Sequence, residues 1–309
     1  MNADTQQSVI AIVGPTASGK STLGIEYAQH CNGEIINCDS VQVYQGIQIA
    51  TAKVPLEERR GIAHHLIDFV SPMINYTAGD WAREAGTTIE QIEQRGHVPI
   101  LVGGTGLYLR ALRTPFFASP PTDENLRLRL TAIRDRHGAE HLHRLLQRLD
   151  PEMAQTLYPR DWPRVHRALE VRLQTGRPMS AQKDERPQPH ESVRRLRVLA
   201  LNPPRAQLYD IINQRTEAHF ANGLVDEVRD LLAQGVPSNS NALGAHGYRR
   251  VVEYLEGRRD LPSAIERTKL DVRHYAKRQL TWFRREPGVE WLEGFGNDPE
   301  IIEQMMNAE

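Results

Sequence analysis

Val9-Ile10-Ala11-Ile12-Val13 is followed by Gly14-Pro15-Thr16-Ala17-Ser18-Gly19-Lys20-Ser21 and then by Thr22-Leu23-Gly24-Ile25-Glu26-Tyr27-Ala28. An apolar run, a glycine-bounded loop and a stretch of helical character thus come in direct succession. That order is the setting the G-x-x-x-x-G-K-[ST] pattern requires. Glycines let backbone N–H groups converge on phosphate oxygens, the helix N-terminus adds its positive dipole end, and Lys20 supplies a full charge. Ser21 can offer its hydroxyl to a magnesium ion. Residues 14–21 are therefore expected to hold phosphate, although the loop alone does not say whose.

Outward from this loop, strand and helix signals alternate. Glu34-Ile35-Ile36-Asn37-Cys38 reads as a second strand ending at Asp39-Ser40, and His65 to Val70 as a third. Thr77 and Asp80 have capping-box spacing for a helix running to about Arg95. Val98-Pro99-Ile100-Leu101-Val102 is a further strand, leading through Gly103-Gly104-Thr105-Gly106 into a helix to Leu112. Alternation of this kind predicts an α/β fold with a mostly parallel sheet and helices on both faces. Residues 115–190 depart from it. Their periodicity is helical from Thr122 to Thr175, with Leu126, Leu130 and Ile133 on one face and Leu142, Leu145, Leu146 and Leu149 on another, and Gly176 to Pro189 reads as a mobile loop. Strand character returns at Arg195 to Leu201. The expected division is a core of 1–114 and 191–309 with a helical insertion at 115–190. The last third is helical, ending in an amphipathic helix to about Arg285 with Ala276, Leu280 and Phe283 on its apolar side and Lys269, Arg273 and Lys277 as a basic stripe.

The 309 residues carry a net charge of -1, unevenly spread: residues 1–109 sum to -5, residues 110–200 to +7 and residues 201–309 to -3. A basic middle in a neutral chain points to a polyanionic partner. Met1 to Gln7 are polar, without the apolar core of a secretory signal, and no apolar run approaches the roughly 20 residues of a membrane span. A cytoplasmic protein without a membrane partner is expected, its two cysteines, Cys31 and Cys38, reduced.

Among single residues, Asp39 ends a strand beside the phosphate loop, where open α/β sheets bind ligands. Its carboxylate can serve as a general base, as a magnesium partner or as a turn cap. Thr105 lies in a second glycine-rich turn facing the same cleft, as ligand contact, helix cap or both. Arg215, in Asn213-Gln214-Arg215, is of the type that clamps phosphate bidentately. His64-His65 lacks partners at ligand spacing and reads as structural.

Several blocks together resemble one family. They are residues 14–21, Asp39-Ser40, Thr51-Ala52-Lys53, Leu101 to Tyr108, Arg167-Ala168-Leu169-Glu170, Gly247-Tyr248-Arg249 and Ala276 to Arg284. In this order, from residue 10 to about 292, they are similar to the bacterial tRNA dimethylallyltransferases, also called isopentenyl-diphosphate:tRNA transferases. The resemblance implies a P-loop NTPase-like core with an all-helical tRNA-binding insertion. It implies that Gly14, Pro15, Thr16, Ala17, Ser18, Gly19, Lys20, Ser21 and Arg215 hold the diphosphate of dimethylallyl diphosphate, with Mg²⁺ on Ser21 and no nucleotide hydrolysed. The dimethylallyl group would go to N6 of adenosine 37 of tRNA, with Asp39 as base and Thr105 on the bridging oxygen. Base flipping is expected, with Asp39, Ser40, Val41 and Gln42 lining the flipped base. By the same resemblance, Arg127, Arg164, Val165, His166, Arg167 and Ala168 would contact tRNA. So would Lys277, Arg278, Gln279, Leu280, Thr281, Trp282, Phe283 and Arg284, in a protein expected to be monomeric.

One stretch departs from the family pattern. Where an R-x-I-G-Y type of sequence is usual, this chain has Gly244-Ala245-His246-Gly247-Tyr248. Three other readings of the loop compete. A small-molecule or nucleotide kinase would need ATP and an arginine-bearing lid; a GTPase would need an Asn-Lys-x-Asp motif, which does not occur; an adenylate prenyltransferase would have no use for a large basic insertion.

Overall fold

The computed structural model describes residues 9–307, so the expectation for Met1 to Gln7 lies outside the described residues. The chain divides into two compact units, one of residues 1–113 and 189–309 and one of residues 114–188.

The larger unit is built on six strands. β1 (Ile10–Val13) is followed by α1 (Lys20–His30), β2 (Gly33–Asn37), β3 (His64–His65), α2 (Ala78–Gln94), β4 (Val98–Gly103) and α3 (Gly106–Arg113). The sheet order is β3-β2-β4-β1-β5-β6, with β5 and β6 described below, and every pairing is parallel. Strand residues alternate between two cores. Ala11, Val13, Ile36, Leu101 and Val198 join Trp81, Ile89 and Leu109 on one face. Ile10, Ile12, Ile35, Ile100 and Leu199 join Leu23, Ala28 and Met305 on the other. The capping box at the start of α2 is present, with Thr77 and Asp80 each accepting from the other's backbone.

β3 is much shorter than the expected His65–Val70 strand. Leu66 and Asp68 adopt left-handed backbone, and the Leu66 carbonyl accepts from Asn37 Nδ2 at 2.9 Å instead of continuing the ladder. Only a single bridge, Tyr44 to Val70, remains beyond it.

The smaller unit is helical, with α4 (Glu124–His137), α5 (Ala139–Leu149), α6 (Pro151–Thr156) and α7 (Trp162–Thr175) around Leu130, Leu142, Leu146, Met153, Val165 and Leu169. The Gly176–Pro189 stretch, expected to be a mobile loop, contains a 3₁₀ segment at Ser180–Glu185 whose first N–H and hydroxyl both donate to the fully buried Asp150.

The chain then supplies β5 (Arg197–Leu201), α8 (Arg205–Ala221), α9 (Leu224–Ala233), α10 (Tyr248–Leu255), α11 (Leu261–Phe283), β6 (Val289–Leu292) and α12 (Pro299–Met306). β6 and α12 escape the sequence reading, since a four-residue edge strand and an eight-residue terminal helix each carry too little pattern. Among the described residues, no helix is long and apolar enough to cross a membrane.

Candidate active site

The carboxyl ends of β1, β2 and β4 converge, and each delivers one of the expected residues. After β1, Gly14 (φ 143°), Ala17 (φ 65°) and Gly19 (φ 82°) curl the loop so that α1 begins at Lys20. A side chain at Gly19 would collide with Gly296 N, 2.9 Å from the β-carbon position, so the loop is also braced by the turn after β6. That turn donates Gly296 N–H to Ser18 O at 2.8 Å. The Ser18 hydroxyl is fully buried without a partner among the described residues, an unmet polar group inside the loop expected to hold phosphate.

Lys20 Nζ donates to Pro15 O at 2.6 Å. Burial pushes its ammonium down to about 8; the Asp39 carboxylate opposes this and Arg215 adds to it. A site that makes its own cation costly is poised for an anion to restore the charge. Below pH 8 Lys20 is charged; between about 8 and its ordinary 10.5 the unfolded chain holds a proton that the folded chain has released, so unliganded stability rises with pH there. Diphosphate affinity should instead fall above pH 8, by about tenfold per unit once the free site is neutral. Calorimetric titration with inorganic diphosphate between pH 6.5 and 9.5 checks this. A Lys20→Arg variant, charged throughout, should lack the fall and corrects for titration of the ligand itself.

Asp39 follows β2. Its Oδ1 accepts the N–H groups of Val41 (2.8 Å) and Gln42 (3.4 Å), so the turn-cap role is real. Its other oxygen accepts no hydrogen bond among the described residues. Asn37 brackets the Asp39 backbone, accepting from its N–H and donating to its carbonyl, both at 3.2 Å. Thr105, after β4, starts α3, and its hydroxyl accepts Ser40 N–H at 3.0 Å. Arg215, on α8, makes no ion pair among the described residues, and burial pushes its guanidinium down from its ordinary value.

These groups line two chambers. One, of about 620 Å³, is walled by the phosphate loop, Asp39, Lys53 and Arg215. The other, of about 550 Å³, is walled by Asp39, Ser40, Val41, Thr105, Leu107, His219 and Tyr275. Thr16, Ala17, Asp39, Thr51 and Arg215 line both. Asp39 thus stands where the chambers meet.

Several expected nucleic-acid contacts lie elsewhere. Gln42 faces the first chamber and donates its amide to Thr51 O at 2.9 Å, away from Ser40 and Val41. Val165 and Ala168 are fully buried in the smaller unit's core, and His166 is buried against the edge of Trp162. Arg127 and Arg167 both bind the fully buried Glu170, which would otherwise be an uncompensated charge. Arg164 remains outward. On α11, Gln279 and Phe283 are buried and Leu280 is half-buried. Lys277, Arg278, Thr281 and Arg284 are exposed, and Trp282 is half-buried under Arg110 at 4.2 Å. Lys269 leaves the basic stripe to pair with Glu217 and Glu266. The basic surplus is also less concentrated than expected. Residues 114–188 hold 13 Lys and Arg against 10 Asp and Glu, a surplus of three.

Among the lining residues that the sequence did not single out for the cleft are Tyr275, His219 and His246, the last from the stretch that departs from the family pattern. Burial pushes both imidazoles down to about 4, helped by Arg215 and Arg278 respectively, so they are neutral. The His246 ring lies 4.8 Å from that of Tyr275.

The sequence model of one family, described as IPP transferase, matches residues 42–286. The chain belongs to the IPP transferase family. Among curated relatives, the tRNA dimethylallyltransferase of Solibacter usitatus is 48% identical over 301 residues, 97% of each chain. That of Geobacter metallireducens is 44% identical over 99% of each. Of solved structures, the full-length tRNA isopentenylpyrophosphate transferase from Bacillus halodurans is 37% identical, with TM-score 0.72 over 98% of this chain and 95% of that one. A eukaryotic dimethylallyltransferase caught acting on tRNA is 30% identical, with TM-score 0.78 over 93% and 74%. Family membership fits an all-parallel sheet whose phosphate loop opens onto a carboxylate.

Proposed function

We propose that this chain transfers the dimethylallyl group of dimethylallyl diphosphate to N6 of adenosine 37 in tRNA, forming N6-(dimethylallyl)adenosine and releasing diphosphate. The observation that carries the reading is Asp39 at the junction of an anion-binding chamber and a second chamber large enough for a base. In this reading the diphosphate occupies the first and the flipped adenine the second. The allylic C–O bond breaks as the N6–C bond forms, and the unpartnered oxygen of Asp39 takes the proton that N6 loses. Lys20, Arg215 and the loop N–H groups stabilise the charge that develops on the leaving diphosphate. Thr105 hydrogen-bonds the bridging oxygen.

A magnesium ion fits the donor set. Among the described residues no three His, Cys, Asp or Glu side chains gather into a metal cluster. Mg²⁺ bound through substrate phosphates and water needs few protein ligands, however, and Ser21 and Asp39 line one chamber. Ser21 would hold the ion, which would neutralise diphosphate charge.

The acceptor is tested by competition. Labelled dimethylallyl diphosphate offered to unmodified tRNA and AMP together should label only the tRNA, and label confined to AMP would make the chain a free-nucleotide prenyltransferase. The exposed Arg164 supplies a cleaner test of RNA binding than Arg167, whose loss would also remove one of the two guanidiniums on the buried Glu170. Arg164→Gln should weaken tRNA binding, lower the salt slope by about one and leave diphosphate affinity unchanged. Fluorescence anisotropy at several salt concentrations measures all of this.

A further inference from the structure

The family resemblance puts Gln279 among tRNA contacts, yet it is 4% exposed and points inward. Its Oε1 accepts Thr16 N–H at 2.8 Å, and its Nε2 donates to Gly104 O at 2.9 Å. The amide's orientation is forced, because a backbone N–H can only donate and a carbonyl can only accept. One end therefore holds the phosphate loop and the other the residue preceding Thr105. The junction is tight: a β-carbon at Gly104 would lie 2.1 Å from Gln279 Nε2 and 3.2 Å from Gly14 O.

We propose that Gln279 is a positioning residue for the transfer step, setting the spacing between the phosphate loop and the turn that carries Thr105. The inference rests on the function proposed above. A leaving diphosphate held by the loop and a hydroxyl meant for its bridging oxygen must stay in register. Neither loop can supply that register alone, since each is a separate strand-to-helix turn. Gln279 ties them from a third element: it borders the first chamber, but both ends of its amide are engaged by Thr16 N–H and Gly104 O. It also comes from the helix whose outer face carries Lys277, Arg278 and Thr281, so its neighbours can contact RNA while it does not.

The test separates these roles. Gln279→Met keeps length and loses both hydrogen bonds. Gln279→Glu keeps an acceptor for Thr16 N–H and loses the donor to Gly104 O. Single-turnover transfer at saturating tRNA and dimethylallyl diphosphate should slow by about 100-fold in Gln279→Met, because misplacement on an ångström scale costs that much. Gln279→Glu should fall in between. Anisotropy should show unchanged affinity for an anticodon stem-loop. Gly104→Ala, which pushes the amide from the opposite side, should reproduce the slow transfer with unchanged RNA affinity. Should Gln279→Met not fold in a thermal-melt check, Gln279→Glu carries the same comparison. Lost stem-loop affinity with wild-type transfer at saturation would make Gln279 an RNA contact and overturn the inference. A wild-type protein that transfers, with variants equally fast, overturns this inference alone, whereas a wild type that transfers nothing overturns the functional reading with it.

Discussion

Asp39→Asn is expected to slow dimethylallyl transfer by about 10³-fold to 10⁴-fold, the upper part of the range for loss of a general base. Affinity for inorganic diphosphate should stay within about twofold of the wild-type value, since the lost group acts in the transition state. The choice of asparagine matters. Asp39 Oδ1 already accepts Val41 N–H and Gln42 N–H, and an amide oxygen can continue to do so. The turn therefore survives. What changes is the other oxygen, which becomes an NH₂ unable to take a proton and set against the N6 amine as donor against donor. Single-turnover transfer beside a diphosphate titration reads both quantities. Equal loss of the two would remove the base role and leave Asp39 as a turn cap.

Lys20→Met should show the opposite partition, with transfer falling by about 10³-fold and diphosphate affinity falling too, as for removal of a charge aimed at a developing anion. Lys20 is buried against Pro15 O, and the Asp39 and Arg215 charges act on it in opposite directions. Nothing else in the loop replaces a full positive charge, because the remaining donors are N–H groups and hydroxyls. The same two measurements check it. Unchanged diphosphate affinity would mean that the anion sits elsewhere in the 620 Å³ chamber.

The part of this site that was legible in the sequence is local in the chain. The phosphate loop, Asp39 and Thr105 each end a strand and precede a turn or helix, so spacing alone puts them at one edge of a parallel sheet. The tie from Gln279 to Thr16 was not legible, because Thr16 is 263 residues away and no periodicity encodes that pairing. Tyr275, His219 and His246 were passed over for the same reason. Val165 and Ala168 were misjudged because a motif shared with a family does not distinguish the residues of α7 that face outward from those that pack its unit. β3 was overestimated because an apolar run reads as strand even where Asn37 draws off the Leu66 carbonyl and the backbone turns left-handed. Charge counted over residues 110–200 overstated the insertion, since Arg110, Arg113, Arg194, Arg195 and Arg197 belong to the larger unit.

The most direct test of the central claim is transfer from labelled dimethylallyl diphosphate to unmodified tRNA with no nucleoside triphosphate present, followed by digestion to nucleosides. The account predicts label on N6 of adenosine 37 and one diphosphate released per group transferred. A strict requirement for ATP, or diphosphate release without label in the tRNA, would contradict it.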